Sequence, residues 1–185
     1  RELQVRGASD ARSPFITPSQ KKDLLTALGQ AKNPNHKRLT QLALTTGMRR
    51  SELLGLRWND LDLANKLVHL NRKDCAATGI QISHRIVPLP TKALALLNHF
   101  PKTTNKVIDL TAGAARHGFE RARIISGLPN LRFHDLRHIA ISTMWADGMS
   151  ALEISATSGH KDLRMLMRYC HYQLGYGGNK FLLDY

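Results

Sequence analysis

Lys66–Pro90 reads KLVHLNRKDCAATGIQISHRIVPLP. Its two ends, Leu67-Val68-His69-Leu70 and Ile86-Val87-Pro88-Leu89, have the composition of strands. The part between them, with Ala76-Ala77-Thr78-Gly79, predicts a hairpin or a short three-stranded sheet. On both sides of this stretch the apolar period is helical. Upstream, Thr17-Pro18-Ser19-Gln20 offers a cap, a proline at the first helical position and a capping-box glutamine. Leu24, Leu25 and Leu28 then share one face. A second helix fits Leu39, Leu42, Ala43 and Thr46 and ends at Gly47, and a third carries Leu53, Leu54 and Leu56. Downstream, helical patterns return near 91–99, 112–126, 134–147, 151–157 and 162–171, with a second capping box at Ser150 and Glu153 after Gly148. The expected fold is mainly α with one small antiparallel β-sheet (α+β).

The whole chain of 185 residues suits one domain or two small ones, and 42% hydrophobic content suffices for a packed core. No apolar run reaches the roughly 20 residues that a membrane span needs. Lysine and arginine number 27 against 14 acidic residues, a net charge of +13. That excess favours a polyanion, because basic groups that neutralise phosphates release condensed counterions. A ribosomal or merely basic protein has the same signature. Cys75 and Cys170 make neither a disulfide framework nor a paired metal knuckle, so a reducing cytoplasm is the expected setting.

Four segments carry candidate chemistry. In Thr46-Gly47-Met48-Arg49 a glycine ends one helix and places Arg49 beside free backbone amides at the start of the next, a site suited to phosphate. The alternative is a surface arginine in a turn. In His134-Asp135-Leu136-Arg137-His138, about 100° per residue puts Leu136, Ile139, Ala140 and Thr143 on a buried stripe. His134 and Arg137 fall together on the other side, where one can donate a proton and the other hold an oxyanion. A solvated face reads the same way. His134 and His138 also have zinc-ligand spacing, although Asp135 stands where the HExxH form has glutamate. In Ser158-Gly159-His160 the glycine lets a helix end sharply and exposes His160, which alone reads as structural. In the last segment Leu163, Leu166, Met167 and Cys170 make the apolar stripe and Tyr169 lies about 120° off it. A phenol with a pKa of about 10 is phenolate in only about one molecule in a thousand at pH 7. To attack a phosphodiester it needs nearby cations.

In order and spacing these segments resemble the phage-integrase, or tyrosine recombinase, family. That family shows an arginine after T-G-x, then H-x-x-R, then G-H, then a tyrosine nine residues beyond the last histidine. Here they are Arg49, His134 and Arg137, Gly159-His160, and Tyr169. The resemblance extends to Ser51-Glu52-Leu53, Leu56-x-Trp58-x-Asp60, Val87-Pro88-Leu89 and Leu136-Arg137-His138, and covers roughly residues 15–173. It implies the tyrosine recombinase catalytic-domain fold and site-specific recombination of double-stranded DNA. It also implies the roles: Tyr169 as nucleophile joined to a 3′-phosphate, Arg49 and Arg137 clamping the phosphate, and His134 and His160 holding or moving protons. The family's hairpin lysine, which protonates the leaving 5′-oxygen, maps to Lys73. Glu52 holds the Arg49 segment. No metal and no cofactor are needed, since the arginines take the charge-stabilising role.

The chain departs from the family pattern twice. The expected loop 74–84 is longer than usual, and Ser158 stands where the family often has leucine, a position that packs rather than reacts. The domain reading is a linker or arm at 1–16, a catalytic domain at 17–173 and a tail at 174–185. The chain begins at Arg1 about where a catalytic domain should, so the family's amino-terminal DNA-binding domain is expected to be missing. The resemblance further implies a tetramer on DNA, a mostly monomeric fragment off it, and a bacterial or phage protein of the cytoplasm. Two other readings stay open: a nicking-closing enzyme like type IB topoisomerases, and a DNA-binding module with an inactive site.

Overall fold

The computed structural model describes residues 16–76, 79–160 and 162–166, with the backbone alone described over 71–84. Helix α1 (Pro18–Gly29) opens with the expected capping box. Thr17 N–H donates to Gln20 Oε1 at 2.9 Å and Gln20 N–H to Thr17 Oγ1 at 3.2 Å. Helix α2 (Asn35–Thr46) stops at Gly47, whose φ of 63° lies in the left-handed region that glycine enters without a Cβ penalty. A short α3 (Arg50–Gly55) follows.

The sheet comprises β1 (Leu61–Asp62), β2 (Leu67–Ala76) and β3 (Gly79–Pro88), antiparallel in the order β1-β2-β3. Val68 pairs with Val87, and the ladder runs out to Ala76 opposite Gly79. The expected long loop over 74–84 is therefore mostly ladder. Gly79-Ile80-Gln81-Ile82-Ser83 alternates apolar and polar residues, the period of a strand.

The chain then continues as α4 (Thr91–Asn98), α5 (Ala112–Ile125), α6 (Asp135–Ala146) and α7 (Ala151–Ser158). Ser150 and Glu153 form the predicted capping box of α7, with Ser150 N–H donating to Glu153 Oε2 at 2.8 Å. The helix expected over 162–171 is a 3-10 turn at Leu163–Met165 in its described part. Residues 167–171 lie outside the described residues, as does the expected tail.

Helix α2 is the hub, packed against α1, α3, α4, α5 and α6, while α7 packs on both α6 and β3. Leu24, Leu39, Leu42, Leu53, Val68, Val87, Leu97 and Leu136 bury fully or almost fully in the main core. Each contributes about 1.5–3 kcal/mol through removal of apolar surface from water. Ile16, assigned by sequence to the arm, is part of this core. A second cluster of Ile141, Met144, Trp145, Ile154 and Leu166 ties α6, α7 and the 3-10 turn together.

Helix α6 is rotated from the expected stripe. Leu136, Ala140, Ile141, Met144 and Trp145 are buried and Thr143 is exposed. Arg137 is buried as well, since α6 is clasped between α2 and α7 rather than laid on one core. Among the described residues no helix is long and apolar enough to cross a membrane.

Candidate active site

The C-termini of α2 and α7 meet beside the start of α6, and Arg137 joins all three. Its Nη1 donates to the carbonyl oxygens of Gly47 and Ser158, both at 2.6 Å. These groups belong to the glycine that ends α2 and the last residue of α7. Carbonyls at helix C-termini lack intrahelical partners and carry the negative end of the helix dipole. A buried guanidinium is thereby held by two acceptors and aimed by the backbone of two helices. Its Nη2 lies 3.3 Å from His160 Nδ1 and 3.4 Å from Nε2.

Arg49 stands between α2 and α3 in an extended conformation, φ −69° and ψ 148°. Glu52 holds it as the resemblance implied. Arg49 N–H donates to Glu52 Oε2 at 2.8 Å and Arg49 Nη1 to Oε1 at 3.2 Å. The first of these bonds occupies the amide of Arg49 itself. What Arg49 offers an incoming anion is its partly exposed guanidinium.

Glu52 has a second cation, Arg85 of β3, with Nη2 3.6 Å from Oε2. The Arg85 guanidinium nitrogens are buried. They fill the space beside Gly159, where a Cβ would fall 1.0 Å from Arg85 Nη1. Gly159 also has φ +75°. The left-handed conformation favours glycine there, and any Cβ would have to displace the end of the Arg85 side chain. The sequence reading used Arg85 only as a landmark before Val87-Pro88-Leu89. Its burial depends on packing between β3, α3 and α7 that no local pattern reveals.

His134 immediately precedes α6, makes no side-chain capping bond, and its ring meets His138 edge-on, centroids 5.0 Å apart. Desolvation lowers its pKa below the ordinary imidazole value, and the Arg137 and Arg49 charges lower it further against the opposing pull of Asp135. His160 is pushed down to about 4, first by burial and then by Arg137, Arg49, His138 and Arg85. Both rings are therefore neutral at pH 7. Arg137 touches His160, and the charges of Arg49 and Arg137 act on both histidines. Ser158, expected only to pack, is fully buried and also touches the site, its Oγ 2.8 Å from His160 Nδ1.

Lys73 belongs to β2, its backbone paired with Ile82, and its side chain lies outside what is described. Tyr169 lies outside the described residues. Among the described residues no group of three or more His, Cys, Asp or Glu is placed to hold a metal. Three guanidiniums, Arg49, Arg85 and Arg137, thus surround a site to which Glu52 supplies one negative charge. That excess suits an anion such as a phosphate.

A mainly helical domain with a small antiparallel sheet is the architecture of tyrosine recombinase catalytic domains. The catalytic domain of bacteriophage HP1 integrase superposes with a TM-score of 0.68 at 24% identity, over 85% of this chain and 87% of that one. The Tn1549 transposon integrase, solved in complex with circular intermediate DNA, gives 0.63 at 19% identity, over 85% and 62%. The profile of the phage integrase family matches residues 14–174, and the chain belongs to that family. It is similar to the shufflon-specific DNA recombinase of Escherichia coli, 37% identical over 132 residues. That alignment takes in 70% of this chain and 33% of the recombinase, so the chain spans about a third of that relative's length.

Proposed function

We propose that this chain is the catalytic part of a site-specific recombinase that cuts and rejoins double-stranded DNA through a covalent bond between Tyr169 and a 3′-phosphate. The observation that carries the reading is the contact of buried Arg137 with His160, in a site where the charges of Arg49 and Arg137 act on both His134 and His160. Family membership and the DNA-bound Tn1549 integrase support it. Arg49 and Arg137 hold the non-bridging oxygens and stabilise the charge of the five-coordinate phosphorus. The Tyr169 oxygen forms a bond to phosphorus and the bond to the 5′-oxygen breaks. His134 and His160, neutral before DNA arrives, take or pass protons at the phosphate and phenol oxygens. Lys73 protonates the departing 5′-oxygen. One phosphodiester replaces another, so rejoining is the reverse step and needs no external energy source.

In the full protein this domain, 17–173, works beside an amino-terminal DNA-binding domain and as a tetramer on its site. It acts in the cytoplasm. The deciding experiment uses a nicked duplex that traps the covalent adduct. Tyr169→Phe removes one oxygen and abolishes the adduct while duplex binding persists. Adduct formed by the phenylalanine variant refutes Tyr169 as the nucleophile and directs attention to Tyr172.

A further inference from the structure

The hydrogens available to Ser158 and His160 allow one arrangement. Ser158 Oγ lies 2.6 Å from the Ile154 carbonyl oxygen and 2.8 Å from His160 Nδ1. Two oxygens at the first distance need a hydrogen between them, and a carbonyl has none to give. The single hydroxyl hydrogen of Ser158 is therefore spent on Ile154, the back-bond to the preceding turn that helical serines make. Only the lone pairs of Oγ remain for the imidazole, so Nδ1 must carry the hydrogen. Arg137 can only donate, and its Nη2 lies 3.3 Å from Nδ1 and 3.4 Å from Nε2, near-equal distances that leave the choice of nitrogen to Ser158. A third bond steadies the same segment: Ser155 Oγ donates to the His160 carbonyl oxygen at 2.7 Å. Ser158 itself has no exposure.

We propose that Ser158 is a positioning residue that locks His160 in the Nδ1–H tautomer, so that His160 hydrogen-bonds a phosphate oxygen only after Nε2 takes up a proton. A leucine at this position, as the family often has, provides no acceptor and leaves the neutral ring free to place its hydrogen on Nε2. With Ser158 the neutral ring presents a lone pair to the site, and a phosphate oxygen presents lone pairs to it. The two become partners when a proton joins them. The bound anion supplies the negative charge that favours this uptake, against the Arg137, Arg49 and Arg85 charges and the His138 ring that disfavour it in the free protein. Ser158 Oγ accepts from Nδ1–H in both states and so serves the imidazolium as well as the neutral ring. The uptake clause rests on the proposed meeting of His160 with the scissile phosphate, while the tautomer lock does not.

Two measurements separate these parts. Nitrogen-15 NMR of the labelled chain at pH 7, with His160 assigned by loss of its signals in His160→Gln, reads the tautomer directly. The expected spectrum has a protonated, pyrrole-like Nδ1 and an unprotonated, pyridine-like Nε2. Ser158→Ala, which keeps the helix backbone bonds, shifts the ring toward Nε2–H, and Ser158→Cys with its weaker acceptor falls between. A pyrrole-like Nε2 in the unaltered chain overturns the lock, and so does an unchanged tautomer in Ser158→Ala. The second measurement is calorimetry of a short duplex binding in buffers of different ionisation heat. The unaltered chain should take up roughly one proton more than Ser158→Ala, equivalent to affinity falling about tenfold more per pH unit. Equal uptake with the expected tautomer overturns the uptake clause and His160's contact with phosphate together, and leaves the lock standing.

Discussion

Gly159→Ala should disable this protein through a residue far away in sequence. Gly159 has φ +75°, and its missing Cβ would lie 1.0 Å from Nη1 and 2.3 Å from Cζ of Arg85. Alanine in a left-handed conformation costs about 1–2 kcal/mol. The collision must also move the Arg85 guanidinium, whose nitrogens are buried, away from Glu52. That contact is an ion pair at 3.6 Å with part-exposed Arg85, and weakening it costs up to about 1 kcal/mol. The expected total is about 1–3 kcal/mol. Urea unfolding of four chains measures it: unaltered, Gly159→Ala, Arg85→Ala and the double variant. With Arg85 shortened the collision disappears, so Gly159→Ala in that background should cost only the backbone share of about 1–2 kcal/mol. The coupling between the two sites is then up to about 1 kcal/mol, within the range for residues in contact. A Gly159→Ala cost that is the same in both backgrounds refutes the steric argument and leaves only the φ requirement.

The two carbonyls held by Arg137 Nη1 make Arg137→Lys non-conservative. A lysine ammonium keeps the charge but lacks the planar fork, and we expect unfolding to be easier by about 1.5–3 kcal/mol with adduct formation lost. Retained adduct would separate the fork from the chemistry. The pH dependence follows from His160, held at about 4 against an ordinary 6.5. Between these values the unfolded chain binds a proton that the native chain refuses. Stability is therefore complete above about pH 6.5 and falls as pH drops toward 4. Between pH 7 and 5 the urea midpoint should fall less in His160→Gln than in the unaltered chain, and equal slopes would contradict the burial of an uncharged ring. Cleavage by the full-length protein should survive excess EDTA. Activity lost to chelator and restored by zinc or magnesium would revive the His134–His138 metal reading.

The sequence by itself determined the element types and most helix boundaries. These rest on local physics. A capping box at Thr17 or Ser150, a left-handed glycine at 47 or 159 and a helical apolar period are written within a few residues of one another. The reach of β2 and β3 was also present, in the alternation of Ile80 and Ile82, but was masked by Asp74 to Gly79 at the hairpin end. Helix α6 shows where local reasoning stops. A period of 100° per residue gives a stripe only when one face is buried, and α6 is held between α2 and α7. Arg137 thus turned inward to two carbonyls whose chain positions lie 90 and 21 residues away. The same holds for Arg85, which reaches Glu52 and the space at Gly159 across three elements. Ser158 was legible as a departure from leucine, yet its contact with His160 needed the helix end to curl the ring back over Oγ. Hydrogen bonds and charge pairs between distant segments have no period in sequence, and only the closed packing of the chain decides which of them form.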